Sequence, residues 1–299
     1  MRIAIATFSG MPAEFKDDDL LLQLLGERGA DLTYAPWDDT AVDWESFPLV
    51  VARSPWDYAT RHDEFVAWVD RVAERLENAA PLIRWNSDKR YLGDLGADGV
   101  PVVETAYVAP GDPAPTIDRE VVIKPTISAG ARSTGRFGPE STGAAAGLLE
   151  RIATAGQTAM VQPYLASVDT DGETAVVMID GERSHVLHKK ALLGADEIAP
   201  TRDDTLGVAE AMYDPELVVA GAADDDQYEL ADTVLEAVRR RFGVTPLIAR
   251  VDMLRAADGT PVLLELEAIE PNLYFEQAPD AAERLADAIL RRARQAAER

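Results

Sequence analysis

Continuous apolar runs at residues 2–8 and 47–52 mark strands buried on both faces, and between them Leu20, Leu21, Leu24 and Leu25 repeat at helical spacing before Gly29. Residues 63–77 place Phe65, Trp68, Val69, Val72 and Leu76 on one helical face, and Pro81-Leu82-Ile83-Arg84 returns as a short strand. These elements predict a small parallel α/β unit over residues 1–86, with Phe65 and Trp68 in its core. A short helix from Ser87 to about Leu95 then leads through Gly96 and Gly99 into an extended Val100–Thr105.

Further on, Glu120–Lys124 reads as a strand, 141–155 as a helix and Thr158–Gln162 as a strand. The apolar runs 173–179 and 184–191 flank Asp180-Gly181, and 247–255 and 261–267 flank Asp258-Gly259, so both pairs predict hairpins. Residues 224–242 and 280–299 are helical in pattern, the second with Asp280 and Glu283 spaced as a capping box. The fold class expected is α/β (α+β), divided into 1–86, 87–163 and 164–299. No internal repeat or low-complexity tract interrupts it.

Charge narrows the partners. The 299 residues carry 29 Lys and Arg against 53 Asp and Glu, a net −24, which opposes nucleic acid and anionic membranes and requires a local cationic site for any anionic ligand. Asp17-Asp18-Asp19 and Asp224-Asp225-Asp226 read as solvated helix starts. With no cysteine, disulfides, thiolate zinc sites and thiol nucleophiles are excluded. The first residues lack a cleavage-like site and no apolar run is long enough to cross a bilayer, so a cytoplasmic protein is expected. A homo-oligomer is left open.

Two clusters carry candidate chemistry. Lys124 ends an apolar strand and is followed by the small, hydroxylated run Pro125–Gly135, whose backbone N–H groups can close on phosphate oxygens; alone, the loop also fits an ordinary connection. Asp252 on one strand faces Glu265 and Glu267 on its hairpin partner, side chains two apart sharing a face. Three carboxylates on an otherwise apolar hairpin call for cations, and oxygen ligands of this kind suit Mg2+. The alternative, a solvated sheet edge, conflicts with the apolar flanks.

Lys89 in Asn86-Ser87-Asp88-Lys89, Lys124, the loop 128–135, Val161–Leu165 and the acidic hairpin occur in the order seen in the ATP-grasp superfamily, and the chain resembles that family over residues 86–275. The resemblance implies ATP and Mg2+ as cofactors. Lys89, Lys124, Ser128, Ala129 and Gly130 would meet the phosphates, and Gln162, Tyr164 and Leu165 the adenine. Glu173 would lie near the nucleotide, and Asp252, Glu265 and Glu267 would hold the metal. Glu-x-Asn of many members is Glu265-Leu266-Glu267 here, with Asn272 as a further candidate ligand.

On the strand 184–191 only alternate residues share a face, and we take His185 and Lys189 as the cleft pair. Arg132 or Arg250 would steady a developing anion. Arg53-Ser54-Pro55-Trp56-Asp57-Tyr58 follows the second strand at its carboxyl end, where Arg53 can clamp a carboxylate and Asp57 or Tyr58 an amino group, unless Trp56 and Tyr58 merely pack under the neighbouring unit. Such a front loop with a Glu-x-Glu hairpin resembles the compact superfamily members that close a small amino acid into a cyclic amide. That implies an amino-acid-like substrate, O-ureido-D-serine, activated as an acyl phosphate. An intermolecular amino-acid ligase is the alternative, and a non-catalytic ATP-binding regulator the alternative of another class.

Overall fold

The structure is a computed structural model that describes residues 1–11, 17–199 and 216–298. Four parallel strands, β1 (Arg2–Thr7), β2 (Asp31–Pro36), β3 (Val50–Ala52) and β4 (Leu76–Glu77), form the first sheet in the order β2-β1-β3-β4. Ile3 to Ala6 are fully buried, which explains their unbroken apolar run. Helices α1 (Asp17–Glu27) and α2 (His62–Arg71) flank this sheet in sequence. Phe65 and Trp68 are core residues, Phe65 edge-on to Trp37 at 5.6 Å and Trp68 edge-on to Trp44 at 5.5 Å.

Local signals misled at several points. Residues 81–84 are not a strand but part of α3 (Ala80–Asn86), whose first turn accepts Pro81 because no N–H is needed there. Ser87 closes that helix rather than capping the next, α4 (Tyr91–Ala97). Val100–Thr105 contributes only a bridge from Val102 to Leu263, and the strand β5 is Ala106–Val108. Asp280 and Glu283 form no capping box, since α8 (Pro279–Ala297) starts one residue earlier from Ala278, and residue 299 lies outside the described residues. The box forms instead at α7 (Asp225–Phe242), between Asp224 and Gln227.

A second, antiparallel sheet joins β6 (Val121–Pro125), β7 (Gly135–Phe137), β8 (Ala159–Pro163) and β11 (Glu197–Ile198) in the order β11-β7-β6-β8-β5. Helix α5 (Thr142–Thr154) packs Leu148 and Ile152 onto its Ile123 and Phe137, and the short α6 (Ser167–Thr170) follows β8. The third sheet is antiparallel too, with β9 (Glu173–Ile179), β10 (Glu182–Lys189), β12 (Val218–Gly221), β13 (Ile248–Arg255) and β14 (Pro261–Glu267) ordered β12-β10-β9-β13-β14. Both expected hairpins form, β9–β10 turning through Asp180 and Gly181 at positive φ. Along β9, Ala175, Val177 and Ile179 enter one core with α1 and α8, and Val176 and Met178 enter another with α4 and α7. Sandwiching on both faces again removes the polar alternation.

Strand β14 is the edge that will carry the site, and side chains close it. Asn86 donates to the Leu266 carbonyl and accepts from the Ala268 N–H, both near 2.7–2.8 Å, while the Tyr91 hydroxyl bridges the Leu266 N–H and carbonyl. Asn78 does the same for Leu247, Ile248 and Ala268. Satisfying these buried backbone groups fixes the edge and hence the outward aim of its alternate side chains. Among the described residues no helix is long and apolar enough to cross a membrane.

Candidate active site

A cavity of about 570 Å³ lies between the two antiparallel sheets and reaches Asp17 and Trp56 of the first unit. Strand β6 delivers Lys124 to it and the following loop delivers Ser128, Ala129 and Gly130; β8 and its continuation deliver Gln162, Tyr164 and Leu165. Glu173 and Lys189 come from the β9–β10 hairpin, and Arg250, Asp252, Glu265 and Glu267 from β13–β14. Asp252 stands opposite Glu265 in the register and Arg250 opposite Glu267, so the shared face expected from the sequence is present. A bulge beside Asp252 turns Leu264 into the cavity as well.

The charges form chains of pairs. Lys189 Nζ lies 2.6 Å from both Glu173 and Asp252. Arg250 grips Asp252 with two bonds of 2.8 Å, donates to Glu267 and donates also to the Asn272 carbonyl at 3.0 Å. Burial alone would raise the Asp252 carboxyl, but Arg250 and Lys189 outweigh it and hold it well below the usual carboxylate range. Lys89 Nζ donates to the Ser128 carbonyl at 2.5 Å and sits 3.1 Å from Glu265, tying the loop after β6 to the acidic hairpin.

Lys124 is the exception. It is half-buried and has no hydrogen bond or ion pair among the described residues, while burial lowers its pKa against the pull of Glu265. Such an ammonium is a ready counter-ion for an anion entering the cavity. The adjoining loop holds Gly130, Ala131 and Ser133 at φ of 63°, 55° and 52°. Two of these are not glycine, and left-handed backbone of this kind is a strain found at ligand clamps.

Burial, against Arg250 and with the like charges of Asp252 and Glu265, raises the Glu267 carboxyl to about 7. Glu265 moves the other way, because Lys89 and Lys124 overcome its burial. Among the described residues no three acidic or imidazole side chains converge as a metal-holding group. Asp252 is the counter-ion of both Arg250 and Lys189. Glu265 and Glu267 still fit magnesium, which takes one or two carboxylates and fills its other positions with water and phosphate oxygens.

The front loop also differs from expectation. Arg53 is 2% exposed, donates to Asp18 at 2.9 Å and to the Pro271 carbonyl at 3.0 Å, and does not line the cavity. Asp17 accepts from the Leu273 and Phe275 N–H groups, so Asp17 and Asp18, expected in solvent, are buried partners of this clamp, while Asp19 is exposed. Asp57 is held by Trp37 at 2.7 Å and Arg61 at 3.2 Å, and Tyr58 is buried in the first core. His185 Nε2 meets the Leu273 carbonyl at 2.8 Å, and burial lowers its pKa. Neither His185 nor Arg132 lines the cavity.

Gln162 donates to Thr105 at 3.0 Å, and the Tyr164 ring lies 3.5 Å beneath the Arg136 guanidinium, fixed further by its bond to Asp169. Sequence reasoning missed Asp17, Glu270 and Tyr274 at the cavity wall. Glu270 had a visible signal, a third glutamate within six residues on an apolar segment.

Residues 3–78 match the model of the D-cycloserine synthetase DcsG N-terminal domain. The cycloserine biosynthesis protein DcsG of Streptomyces lavendulae is 37% identical over 286 residues, covering 91% of this chain and 92% of that one. The crystal structure of D-cycloserine synthetase DcsG superposes with a TM-score of 0.84 at 35% identity, over 98% of this chain and 100% of the other. D-alanine–D-alanine ligase of Bacillus anthracis shares the fold, with a TM-score of 0.68 at 12% identity over 100% and 99% of the two chains. The chain therefore belongs to the D-cycloserine synthetase DcsG family of ATP-grasp ligases.

Proposed function

We propose that this enzyme uses ATP to activate the carboxylate of O-ureido-D-serine and closes it to D-cycloserine. The observation that carries the proposal is the unpaired Lys124 ammonium facing the Glu265–Glu267 pair across one cavity, with Lys89 bridging the two sides. Lys124 and Lys89 would take the nucleotide phosphates, with Glu265 and Glu267 as the magnesium ligands. Bound magnesium would supply charge neutralisation at the phosphates. Gln162, Tyr164 and Leu165 would border the base.

A substrate carboxylate oxygen attacks the terminal phosphorus, the bond to the bridging oxygen breaks, and ADP leaves with that electron pair. The nitrogen bonded to oxygen in the ureido group then attacks the acyl carbon, expelling phosphate and closing the isoxazolidinone ring. Water takes the carbamoyl group as carbamic acid, which falls to carbon dioxide and ammonia. The chain's contribution is positioning: Arg250 and Lys189 are locked by Asp252, so their charges need no rearrangement during transfer. The loop 128–134 would shield the acyl phosphate from water.

Supplied with ATP, magnesium and O-ureido-D-serine, the protein should release ADP and one cyclic product per ADP, measured by coupled assay and mass spectrometry. No ADP, or ADP without cyclic product, rejects the proposal. A product that appears only after a second amino acid is added replaces cyclisation with intermolecular ligation.

A further inference from the structure

Among the buried and half-buried carboxylates lining the cavity, Glu270 alone has no hydrogen-bond or ion-pair partner for its side chain in the described residues. It is 9% exposed. Its aim is fixed by the backbone around it: the Trp56 indole donates to the Glu270 carbonyl at 3.2 Å, Arg53 to that of Pro271 and Arg250 to that of Asn272. Lys89, Lys189 and Arg250 are all committed to other acids, so no cation of the cavity wall is left for it except Lys124. Ionising a buried carboxyl that has no partner is costly, and a cation arriving from outside would supply the partner that the cavity wall does not.

Glu270 lies beyond the magnesium-type pair, on the side of the first unit. Its neighbour Ile269 belongs to the core of that unit, and Trp56 lines the cavity there. An unpartnered carboxylate at this wall suits a small organic ammonium, which gains from the opposite charge. We propose that Glu270 binds the α-ammonium of the substrate and thereby selects amino acids over simple carboxylic acids; this rests on the proposed function above. The expected front-loop clamp is thus replaced by a residue that the front loop positions.

The test compares O-ureido-D-serine with its analogue lacking the α-amino group, titrated by calorimetry into wild-type protein and Glu270→Gln, each loaded with magnesium and a non-hydrolysable ATP analogue. Wild type should prefer the amino acid by roughly 10- to 100-fold, the worth of a charged hydrogen bond, and Glu270→Gln should lose most of that preference. Affinity for the ATP analogue should stay within about twofold, since no phosphate contact is removed. Equal weakening of both ligands, or a shift in magnesium requirement instead, overturns the assignment while leaving the proposed reaction standing. If wild type neither binds nor cyclises the amino acid, the proposed function fails first and this inference with it. If Glu270→Gln does not fold, the wild-type preference decides, and its absence rejects the role.

Discussion

The hairpin β13–β14 and the front loop 53–58 both set charged residues beside apolar ones, yet they behave oppositely. The hairpin turns Arg250, Asp252, Glu265 and Glu267 to the cavity, whereas Arg53, Asp57 and Tyr58 all turn away from it into partners. On a strand the two-residue period decides the aim of a side chain before tertiary contacts form. In a loop no such period exists, and a buried arginine goes wherever carboxylates and carbonyls can satisfy it. Charge type therefore identifies cavity-facing residues on the hairpin and fails on the loop.

The largest effect should come from the cavity side of this contrast. Lys124→Ala and Glu265→Ala should each lower ADP release by about 10³-fold or more, because the first removes an ammonium proposed to meet the phosphates and the second a proposed magnesium ligand. Thermal unfolding should stay close to wild type, and near-normal turnover by either variant would remove its residue from the site. On the loop side, Arg53→Ala leaves Asp17 and Asp18 buried without their cation, and should cost about 3–5 kcal/mol in denaturant unfolding. Full stability with only a raised KM for the carboxylate substrate would restore Arg53 as a ligand clamp.

A smaller effect follows from the two raised glutamates. Burial, with the like charges around them, lifts Glu267 to about 7 and Glu270 to about 8, above the ordinary carboxylate range. A raised acid holds its proton more tightly folded than unfolded, so folding is favoured at low pH and loses stability as pH rises from the unfolded value through 7 and 8. Unliganded protein should lose about 2 kcal/mol between roughly pH 6 and 7, and Glu267→Gln with Glu270→Gln should flatten that slope. An unchanged slope in the double variant would assign the effect to the net −24 charge instead.

The sequence by itself determined the elements whose period is strong and whose faces are covered. Strand β1, the two Asp-Gly hairpins, α5 and α7 are legible because unbroken apolar runs and turn chemistry admit few other conformations. The Glu265–Glu267 pair was legible by strand parity, and Lys124 by its place at the end of an apolar strand before a run of small residues. Tertiary structure alone decided the rest. Pro81–Arg84 became helix because burial of Leu82 and Ile83 outweighed a weak local preference. Asp17 and Asp18 left solvent because Arg53 and two backbone N–H groups, hundreds of residues apart in part, converge on them. Asn78, Asn86 and Tyr91 close the β14 edge through bonds to residues more than 160 positions away. Glu270 is unpaired only because every neighbouring cation but Lys124 has been claimed by another acid, a fact about distances in space that no local pattern of residues encodes.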